Sequence, residues 1–388
     1  MNKQKRITFL LKSLEGGGIE RVVLNLLNHL SQRDDICLDL VVASLTGEYL
    51  NQFPPQVRVI DLQIRIENRS KSYLKLIPAI AKYLQKEKPD YLFSHLPIAN
   101  VITVMSKVIA RVPVSIFLVE HTLLFNSLLQ REKRSLNDRP KRLDILPILL
   151  PMIMQWFYPQ ANGIIAVSKG LARELEMSLK LKPNSVQVIY NPVIDDNLLF
   201  KSRLPIEHPW FQPNQPPVLL AIGRLTAQKD YQSLLYAFAR FREQFPAKLL
   251  ILGEGELRSE LEALVSKLSL ENDVFLPGFV SNPYAYMSQA TALVLSSVWE
   301  ALPTVLIEAM ACGCQVISTD CPYGPDEILE QGKYGWLVPV QDVTALATAM
   351  HQALNSPINP DKLKLRSQSF TVEQAVSNYL TIIDLKKA

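Results

Sequence analysis

Two cations, Arg224 and Lys229, lie in a short loop that follows an apolar run of the sequence. The loop reads GRLTAQKD and lies between the run Val218–Ile222 and a helical pattern. Arginine binds an anion through forked hydrogen bonds and lysine acts as a point charge, so the two can converge on one anion. The segment therefore predicts an anion site, with a pair of solvated surface cations as the alternative.

Two carboxylates, Glu300 and Glu308, belong to another segment of this kind. Glu300 follows the apolar run 292–296, and Glu308 lies among apolar residues in a helix that Pro303 opens. A carboxylate in such surroundings is costly without a hydrogen-bonding partner, and paired ribose hydroxyls would serve. Free N–H groups at the start of the helix, over residues 302–305, would face a phosphate. An exposed helix edge is the alternative for Glu308.

A glycine run at 16–18 and a histidine at 121 complete the residues that could do chemistry. Glycine lets the backbone approach a ligand, and a helix start beyond it favours an anion, although a plain tight turn is the alternative. A dinucleotide fingerprint would need glycine where Arg21 stands, which argues against nicotinamide or flavin. His121 follows the apolar run 115–119 and is expected at a strand's carboxyl end, unless it is a structural histidine bonded to a loop carbonyl.

Short apolar runs alternate with amphipathic helical patterns along the chain, which is typical of βαβ units and parallel sheets. The predicted strands are 7–11, 38–43, 91–93, 115–119 and 163–167 in the first half, the last of these closing it, and 218–222, 248–252, 274–276, 292–296 and 315–318 in the second. Helices are predicted at 231–245, from Pro303 to before Gly313, and at 372–384. Five prolines within 201–217 predict the connection between two domains.

The predicted fold is α/β, with two Rossmann-like domains facing a central cleft. The N-terminal domain covers 1–195 and is completed by the C-terminal helix 370–388, and the C-terminal domain covers 196–369. A hydrophobic fraction of 48% allows large cores and excludes a disordered chain. A net charge of +4 argues against a nucleic-acid binder. The four cysteines lack the paired spacing of a metal site and predict reduced thiols in a cytoplasmic protein.

The motifs of the second half resemble the retaining glycosyltransferase family 4, which has the GT-B fold. They are GRLTAQKD at 223–230, GEGELR at 253–258, LPGFVSN at 276–282, EALPTVLIEAMACGCQVIST at 300–319, GPDEIL at 324–329 and GWLV at 335–338. Glu300 and Glu308 have seven residues between them, as in the family's signature. GGGIER at 16–21, the pair Glu120-His121 and IYNPV at 189–193 extend the resemblance over nearly the whole chain.

The resemblance implies a set of site residues. The implied catalytic residues are His121, Glu300, Arg224 and Lys229. The implied donor-binding residues are Gly17, Gly18, Arg224, Lys229, Glu254, Leu257, Phe279, Val280, Glu300, Leu302, Pro303, Thr304, Val305 and Glu308. Within this set, Arg224 and Lys229 neutralise the donor diphosphate, Glu308 binds the ribose and Glu300 contacts the sugar with backbone amides of 302–305. Ala301 stands where the family often has glycine, which predicts a modest change in the sugar pocket.

The reaction that the resemblance implies is transfer, with retention, of a hexose or N-acetylhexosamine from a nucleotide-sugar such as a UDP-sugar. The acceptor is a glycan or a lipid-linked glycan of cell-surface polysaccharide biosynthesis. No cofactor and no metal are expected, and no two aspartates stand in the D-x-D arrangement of metal-dependent enzymes. A nucleotide-sugar epimerase of the same fold and a non-catalytic membrane-associated scaffold are the alternatives.

A basic cluster next to an apolar run predicts contact with an anionic membrane surface through 131–158. Residues 131–142 hold six basic and two acidic side chains, and the run 145–158 that follows is apolar and ends in aromatic residues. This combination suits an interfacial anchor, whereas the apolar run is too short to cross a bilayer. A buried helix preceded by a mobile loop is the alternative. The predicted location is the cytoplasm, with peripheral attachment to the inner face of the cell membrane.

Overall fold

The computed structural model describes residues 4–15, 17–50, 52–66, 70–95, 97–122 and 146–385. The chain forms two compact units. The first comprises the residues up to Pro192 together with those from Val372 onward, and the second comprises Val193–Thr371. The chain therefore enters the second unit once and returns to the first for its last helix.

The first unit is built on a parallel sheet of seven strands, in the order β3-β2-β1-β4-β5-β6-β7. The strands are β1 (Lys5–Leu11), β2 (Ile36–Val42), β3 (Val57–Asp61), β4 (Tyr91–His95), β5 (Ser115–Glu120), β6 (Gly163–Ala166) and β7 (Val186–Val188). Its helices are α1 (Gly18–Leu30), α2 (Ser70–Leu74), α3 (Leu76–Glu87), α4 (Pro97–Ala110), α5 (Leu146–Phe157) and α6 (Lys169–Ser178).

The second unit is built on a parallel sheet of six strands, in the order β10-β9-β8-β11-β12-β13. The strands are β8 (Val218–Ile222), β9 (Lys248–Leu252), β10 (Val274–Gly278), β11 (Ala292–Leu295), β12 (Gln315–Thr319) and β13 (Trp336–Val338). The helices from α7 to α14 are Asp196–Ser202, Tyr231–Arg242, Arg258–Lys267, Pro283–Gln289, Thr304–Ala311, Pro325–Ile328, Val343–Asn355 and Pro360–Ser367. The last helix of the chain, α15, is Val372–Leu385.

Both sheets reverse their strand order at one point, between β1 and β4 in the first unit and between β8 and β11 in the second. In open parallel sheets, ligands bind beyond the carboxyl ends of the strands at such a point. The loop carrying Arg224 and Lys229 follows β8, and the loop carrying Glu300 follows β11. The topology therefore places both loops where a ligand is expected.

Near-continuous apolar strands and the apolar faces of helices form the two cores. Parallel strands are covered by helices on both faces, which is why β8 reads VLLAI and β9 reads KLLIL. Helix α15 belongs to the first core, where Tyr379 packs edge-to-face on Phe93 with ring centroids 5.0 Å apart. Burying an aliphatic or aromatic side chain of this size contributes about 1.5–3 kcal/mol, so α15 is an integral part of the first unit.

Several predicted boundaries differ from the structure. Residues 163–167 do not hold the last strand of the first half, because β7 follows and pairs with β6 in parallel. The proline-rich segment 201–217 lies within the second unit and does not connect the two units. Its 3-10 turn Pro209–Phe211 is held by aromatic packing, with the ring centroids of Trp210 and Phe275 6.1 Å apart.

The apolar run predicted as a membrane contact forms helix α5. Met154 in this helix and Tyr158 just after it are fully buried, whereas Leu149, Met152 and Trp156 are 42%, 60% and 77% exposed. One side of this segment therefore packs in the core, and another side is exposed to solvent. The basic segment 131–142 lies outside the described residues. Among the helices that the structure describes, none has the length and apolar character needed to cross a membrane.

Candidate active site

An ion pair joins the loops after β8 and β11. The ammonium of Lys229 lies 2.6 Å from Oε1 of Glu300, and the hydroxyl of Ser297 donates to the same oxygen at 2.7 Å. Both charged side chains are largely buried, at 17% and 10% exposure. A cation and a carboxylate are thus held together at the switch point of the second sheet.

Hydrogen bonds fix the two loops to each other around this pair. The amide of Val298 donates to the carbonyl of Gln228 at 2.8 Å, and the Gln228 side chain donates to the carbonyl of Trp299 at 2.9 Å. The hydroxyl of Ser296 donates to the carbonyl of Lys229 at 2.6 Å. These bonds fix the backbone of the loops on both sides of the ion pair.

Glycine at 223 is required by the close packing beside Lys229. The residue has φ of +155°, and a Cβ there would lie 3.0 Å from Cε of Lys229 and 3.0 Å from the hydroxyl of Tyr231. Gly253, with φ of +142°, packs its Cα against the carbonyl of Gly223. A side chain at position 253 would collide with the backbone of the loop that carries Arg224 and Lys229, and one at position 223 would be strained by the positive φ and would press on Lys229 and Tyr231.

The start of helix α11 supplies backbone donors beside Glu300. Pro303 is its N-cap and Thr304 its first residue, so early N–H groups of the helix have no partner within it. The expectation of amides throughout 302–305 is wrong at one position, because proline has no N–H. Leu302, Thr304 and Val305 keep theirs. Gly324 packs against Ala301, Leu302 and Pro303, where a Cβ would be 2.8 Å from Cδ of Pro303.

The remaining predicted residues of the second unit differ in environment. Arg224 is exposed, whereas Glu308 is half-buried on α11. Glu254 is exposed and forms an ion pair with Arg258 at 2.9 Å, and Leu257 packs against the core. Phe279 is 77% exposed, a large apolar side chain in solvent, and Val280 beside it is half-buried.

The glycines of the first unit lie at the start of helix α1. Gly17 is the N-cap and Gly18 the first helical residue; Gly16 lies outside the described residues. A Cβ at Gly18 would have no described atom within 4 Å. At Gly17 it would meet the carboxylate of Glu20, which folds back over the helix start and whose pKa is raised by burial. The start of α1 thus already accommodates one carboxylate.

His121 follows β5 and contacts a second histidine. Its Nε2 lies 2.8 Å from Nδ1 of His95, the last residue of β4. His95 is fully buried. Burial lowers the pKa of His121 to about 4, and burial together with His121 holds the pKa of His95 well below its usual value. Both imidazoles are therefore neutral near pH 7.

Glu120, next to His121, is held in a buried polar cluster. The amide of Asn100 donates to its Oε1 at 2.7 Å, and the hydroxyl of Tyr158 donates to the same atom. Burial raises the pKa of Glu120 to about 7, an effect that these hydrogen bonds oppose. The carboxyl of Glu120 thus titrates near neutral pH.

Three contacts of the site were not predicted from the sequence: those of Ser297, Gln228 and His95. Ser297 stands in the segment SSVWE but carries no pattern of its own, and Gln228 and His95 acquire partners only through the folding of the sheets. Within the described ranges, no group of three or more metal-binding side chains occurs.

Comparison with known proteins agrees with this architecture. Residues 16–197 match the family described as Glycosyltransferase Family 4, and residues 205–370 match Glycosyl transferases group 1. An N-acetylgalactosaminyltransferase of Campylobacter jejuni, named for N-acetylgalactosamine-N,N'-diacetylbacillosaminyl-diphospho-undecaprenol, is 28% identical over 93% of this chain and 92% of its own. A second transferase of that organism, an alpha-1,4-N-acetyl-D-galactosaminyltransferase, is 26% identical over 97% of this chain and 98% of its own.

Solved structures show the same fold. The lipopolysaccharide outer core galactosyltransferase WaaB superposes with a TM-score of 0.74 at 21% identity, covering 98% of this chain and 99% of its own. Anabaena Alr3699/HepE in complex with UDP-glucose gives 0.71 at 20% identity, covering 97% and 99%. The chain therefore belongs to the family 4 glycosyltransferases of GT-B fold and is a transferase enzyme.

Proposed function

We propose that this glycosyltransferase moves a hexose or N-acetylhexosamine from a UDP-sugar to a glycan or lipid-linked acceptor, with retention of configuration. The observation that carries the proposal is the Lys229–Glu300 pair at the switch point of the second sheet, beside the start of α11. The pair offers a cation for a diphosphate and a carboxylate for sugar hydroxyls within one small volume.

In the proposed complex, Lys229 and Arg224 bind the donor diphosphate, and the N–H groups of Thr304 and Val305 donate to the same phosphates. Lys229 then leaves Glu300, whose carboxylate becomes free to accept from hydroxyls of the sugar. Glu308 binds the ribose. Charge that develops on the departing diphosphate is met by fixed cations and helix N–H groups, which is electrostatic stabilisation of the transition state.

Further donor contacts are proposed in both units. Glu254, Leu257, Phe279 and Val280 border the base, and the exposed ring of Phe279 offers it an apolar face. Gly17 and Gly18, at the start of α1, are proposed as donor-binding residues, because a helix start favours an anion and a Cβ on Gly18 would have no described atom within 4 Å. His121, neutral at pH 7, is proposed to lie near the transferred sugar.

The donor and acceptor classes rest on the relatives. Two of them are named as N-acetylgalactosaminyltransferases acting on undecaprenol-linked glycans, and one is a lipopolysaccharide galactosyltransferase. A structural neighbour was solved with UDP-glucose. We infer that this chain works in cell-surface polysaccharide biosynthesis and uses a uridine nucleotide.

The proposal is tested by incubating the protein with UDP-GalNAc, UDP-GlcNAc, UDP-glucose or UDP-galactose, with and without an undecaprenyl-diphosphate-linked N-acetylhexosamine. We expect one donor to yield a longer lipid-linked glycan by mass spectrometry, with an anomeric configuration that matches the donor. An enzyme that converts the donor sugar without acceptor would instead be an epimerase, and an inverted linkage would exclude retention.

We also propose that the first unit binds the cytoplasmic surface of an anionic membrane through residues 131–158. Leu149, Met152 and Trp156 recur at helical spacing on α5 and are exposed, which forms an apolar stripe next in sequence to the basic segment 131–142. Anionic lipid contributes on the order of 1 kcal/mol for each basic residue near the surface. A lipid-linked acceptor would then lie within reach.

Liposome flotation tests this attachment. We expect the protein to float with anionic liposomes at low salt, and Trp156→Ser with Met152→Ser to reduce that fraction several-fold. Leu365→Ser removes a leucine of the second unit whose exposure, 66%, lies between those of Met152 and Trp156, and it serves as the matched control. If the native protein does not bind anionic liposomes at low salt, the membrane proposal is wrong.

A further inference from the structure

We infer that His95 is a positioning residue that orients His121 and fixes the ring nitrogen that carries its proton. The inference rests on the proposed role of His121 near the transferred sugar. Its basis is the hydrogen bond between the two rings, which is 2.8 Å long from Nδ1 of His95 to Nε2 of His121. One of these nitrogens must donate and the other accept, so the protonation of one ring dictates that of the other.

The surroundings of His95 select the direction of this bond. Its Nε2 is buried and, among the described residues, has no hydrogen-bonding partner. If Nε2 held the proton, a buried N–H would lack an acceptor, which is rarer in proteins than an acceptor without a donor. The proton of His95 therefore resides on Nδ1 and is donated to Nε2 of His121. His121 consequently carries its own proton on Nδ1.

This arrangement makes His121 a hydrogen-bond donor through Nδ1, rather than a base at that nitrogen. The orientation of His95 is constrained on two sides. Its ring is nearly parallel to that of Phe9, with centroids 6.0 Å apart, and to that of His121, with centroids 5.1 Å apart along the hydrogen bond that joins the two imidazoles. A fixed donor near the sugar costs little reorganisation when the substrate binds.

Long-range nitrogen–proton NMR on the full-length protein, labelled with 15N-histidine, tests the inference directly. In the native protein we expect His121 protonated on Nδ1 and bare on Nε2. In His95→Phe, which keeps a ring in the stack, we expect His121 to exchange between tautomers. His95→Asn places an amide N–H near the position of the Nδ1 of His95. This N–H can donate to His121 and should restore its native tautomer. An unchanged His121 signal in His95→Phe, or a native His121 protonated on Nε2, would overturn the inference.

Kinetics connects the tautomer to the reaction. We expect His95→Phe to lower kcat about tenfold with little change in the KM of the donor, because His121 is misplaced and not removed. His95→Asn should recover most of that loss. Ser94→Ala, in which a buried neighbour loses one hydrogen bond to Thr103, is the matched control and should retain its kcat. Equal losses of kcat in Ser94→Ala and His95→Phe would show that His95 has only a structural role.

His121→Ala tests the proposed function separately. Normal turnover in this variant would refute the role of His121, whatever its tautomer.

Discussion

The ammonium of Lys229 and the carboxylate of Glu300 are 2.6 Å apart although the two residues are 71 positions apart in the chain. Each side chain neutralises the other in a largely buried position. Removing one therefore leaves an uncompensated charge behind, and the effect of a single substitution on activity includes an effect on folding. The pair has to be tested as a unit.

We predict that Lys229→Met and Glu300→Gln each lower the free energy of unfolding by about 1–3 kcal/mol, and that the double variant loses less than the sum of both. All three variants should lose sugar transfer. Denaturant unfolding and a transfer assay measure the two effects. The surface pair Lys333 and Glu330, 3.1 Å apart and more exposed, is the control, and Lys333→Met should leave both properties unchanged. Strict additivity of the losses in stability would contradict a coupled pair.

Arg224 offers a cleaner test of donor binding, because its side chain is exposed. We expect Arg224→Ala to leave stability within about 0.5 kcal/mol of the native value. It should weaken UDP binding by about 1.5–3 kcal/mol through the loss of a charge-assisted contact. Calorimetric titration with UDP measures this loss. Lys267→Ala, which removes an exposed cation at the end of the helix Arg258–Lys267 in the same unit, should bind UDP normally. Native affinity in Arg224→Ala would remove Arg224 from the donor site.

Metal removal should leave activity within about twofold of the untreated enzyme. The reason is that Arg224, Lys229 and the start of α11 are proposed to balance the negative charge of the diphosphate. The check is the initial rate of transfer after exhaustive treatment with EDTA, with and without added Mg²⁺ or Mn²⁺. Complete loss of transfer that either ion restores would show that a divalent cation carries part of the charge.

The raised pKa of Glu120 predicts that the stability of the protein depends on pH in a specific way. Burial raises the pKa of Glu120 to about 7, above the ordinary value of 4.5. Between these values the folded state holds a proton that the unfolded state has lost, so the contribution of Glu120 to stability falls as pH rises from about 4.5 to 7. His121, with a pKa lowered to about 4, contributes in the opposite direction between pH 4 and 6.5.

The variant Glu120→Gln separates these contributions, since it mimics the protonated carboxyl and leaves both histidines in place. Its free energy of unfolding relative to the native protein should rise by about 2 kcal/mol between pH 5 and pH 8. Denaturant unfolding at both pH values gives this difference. Parallel stability curves for the two proteins would show that Glu120 does not titrate in this range.

The sequence predicted the strands that carry the site because β8, β9 and β11 are buried on both faces and appear as apolar runs. The short strands β3, β7 and β13 were missed. They lie towards the edges of their sheets and read VRVID, VQV and WLV, which are too short or too polar to form such runs.

Contacts between distant side chains could not be read from spacing. Lys229 meets Glu300 because β8 and β11 are neighbours, with Leu219 opposite Ala292. His95 meets His121 because β4 pairs with β5 and places His95 opposite Val119. The residues of the loops were therefore predictable from local sequence and from resemblance to the family, whereas their partners follow from strand order.

The site of Lys229 and Glu300 is proposed to transfer a sugar from a nucleotide donor. This role is tested most directly by the transfer of radiolabelled sugar from the UDP-sugar that the native enzyme uses into a lipid-extractable acceptor. Native protein and Glu243→Gln, a change of an exposed carboxylate in the same unit, should transfer label at equal rates. Glu300→Gln, measured at equal concentrations of folded protein, should fall by about a hundredfold or more. Transfer by Glu300→Gln at the native rate would show that Glu300 does not take part in sugar transfer.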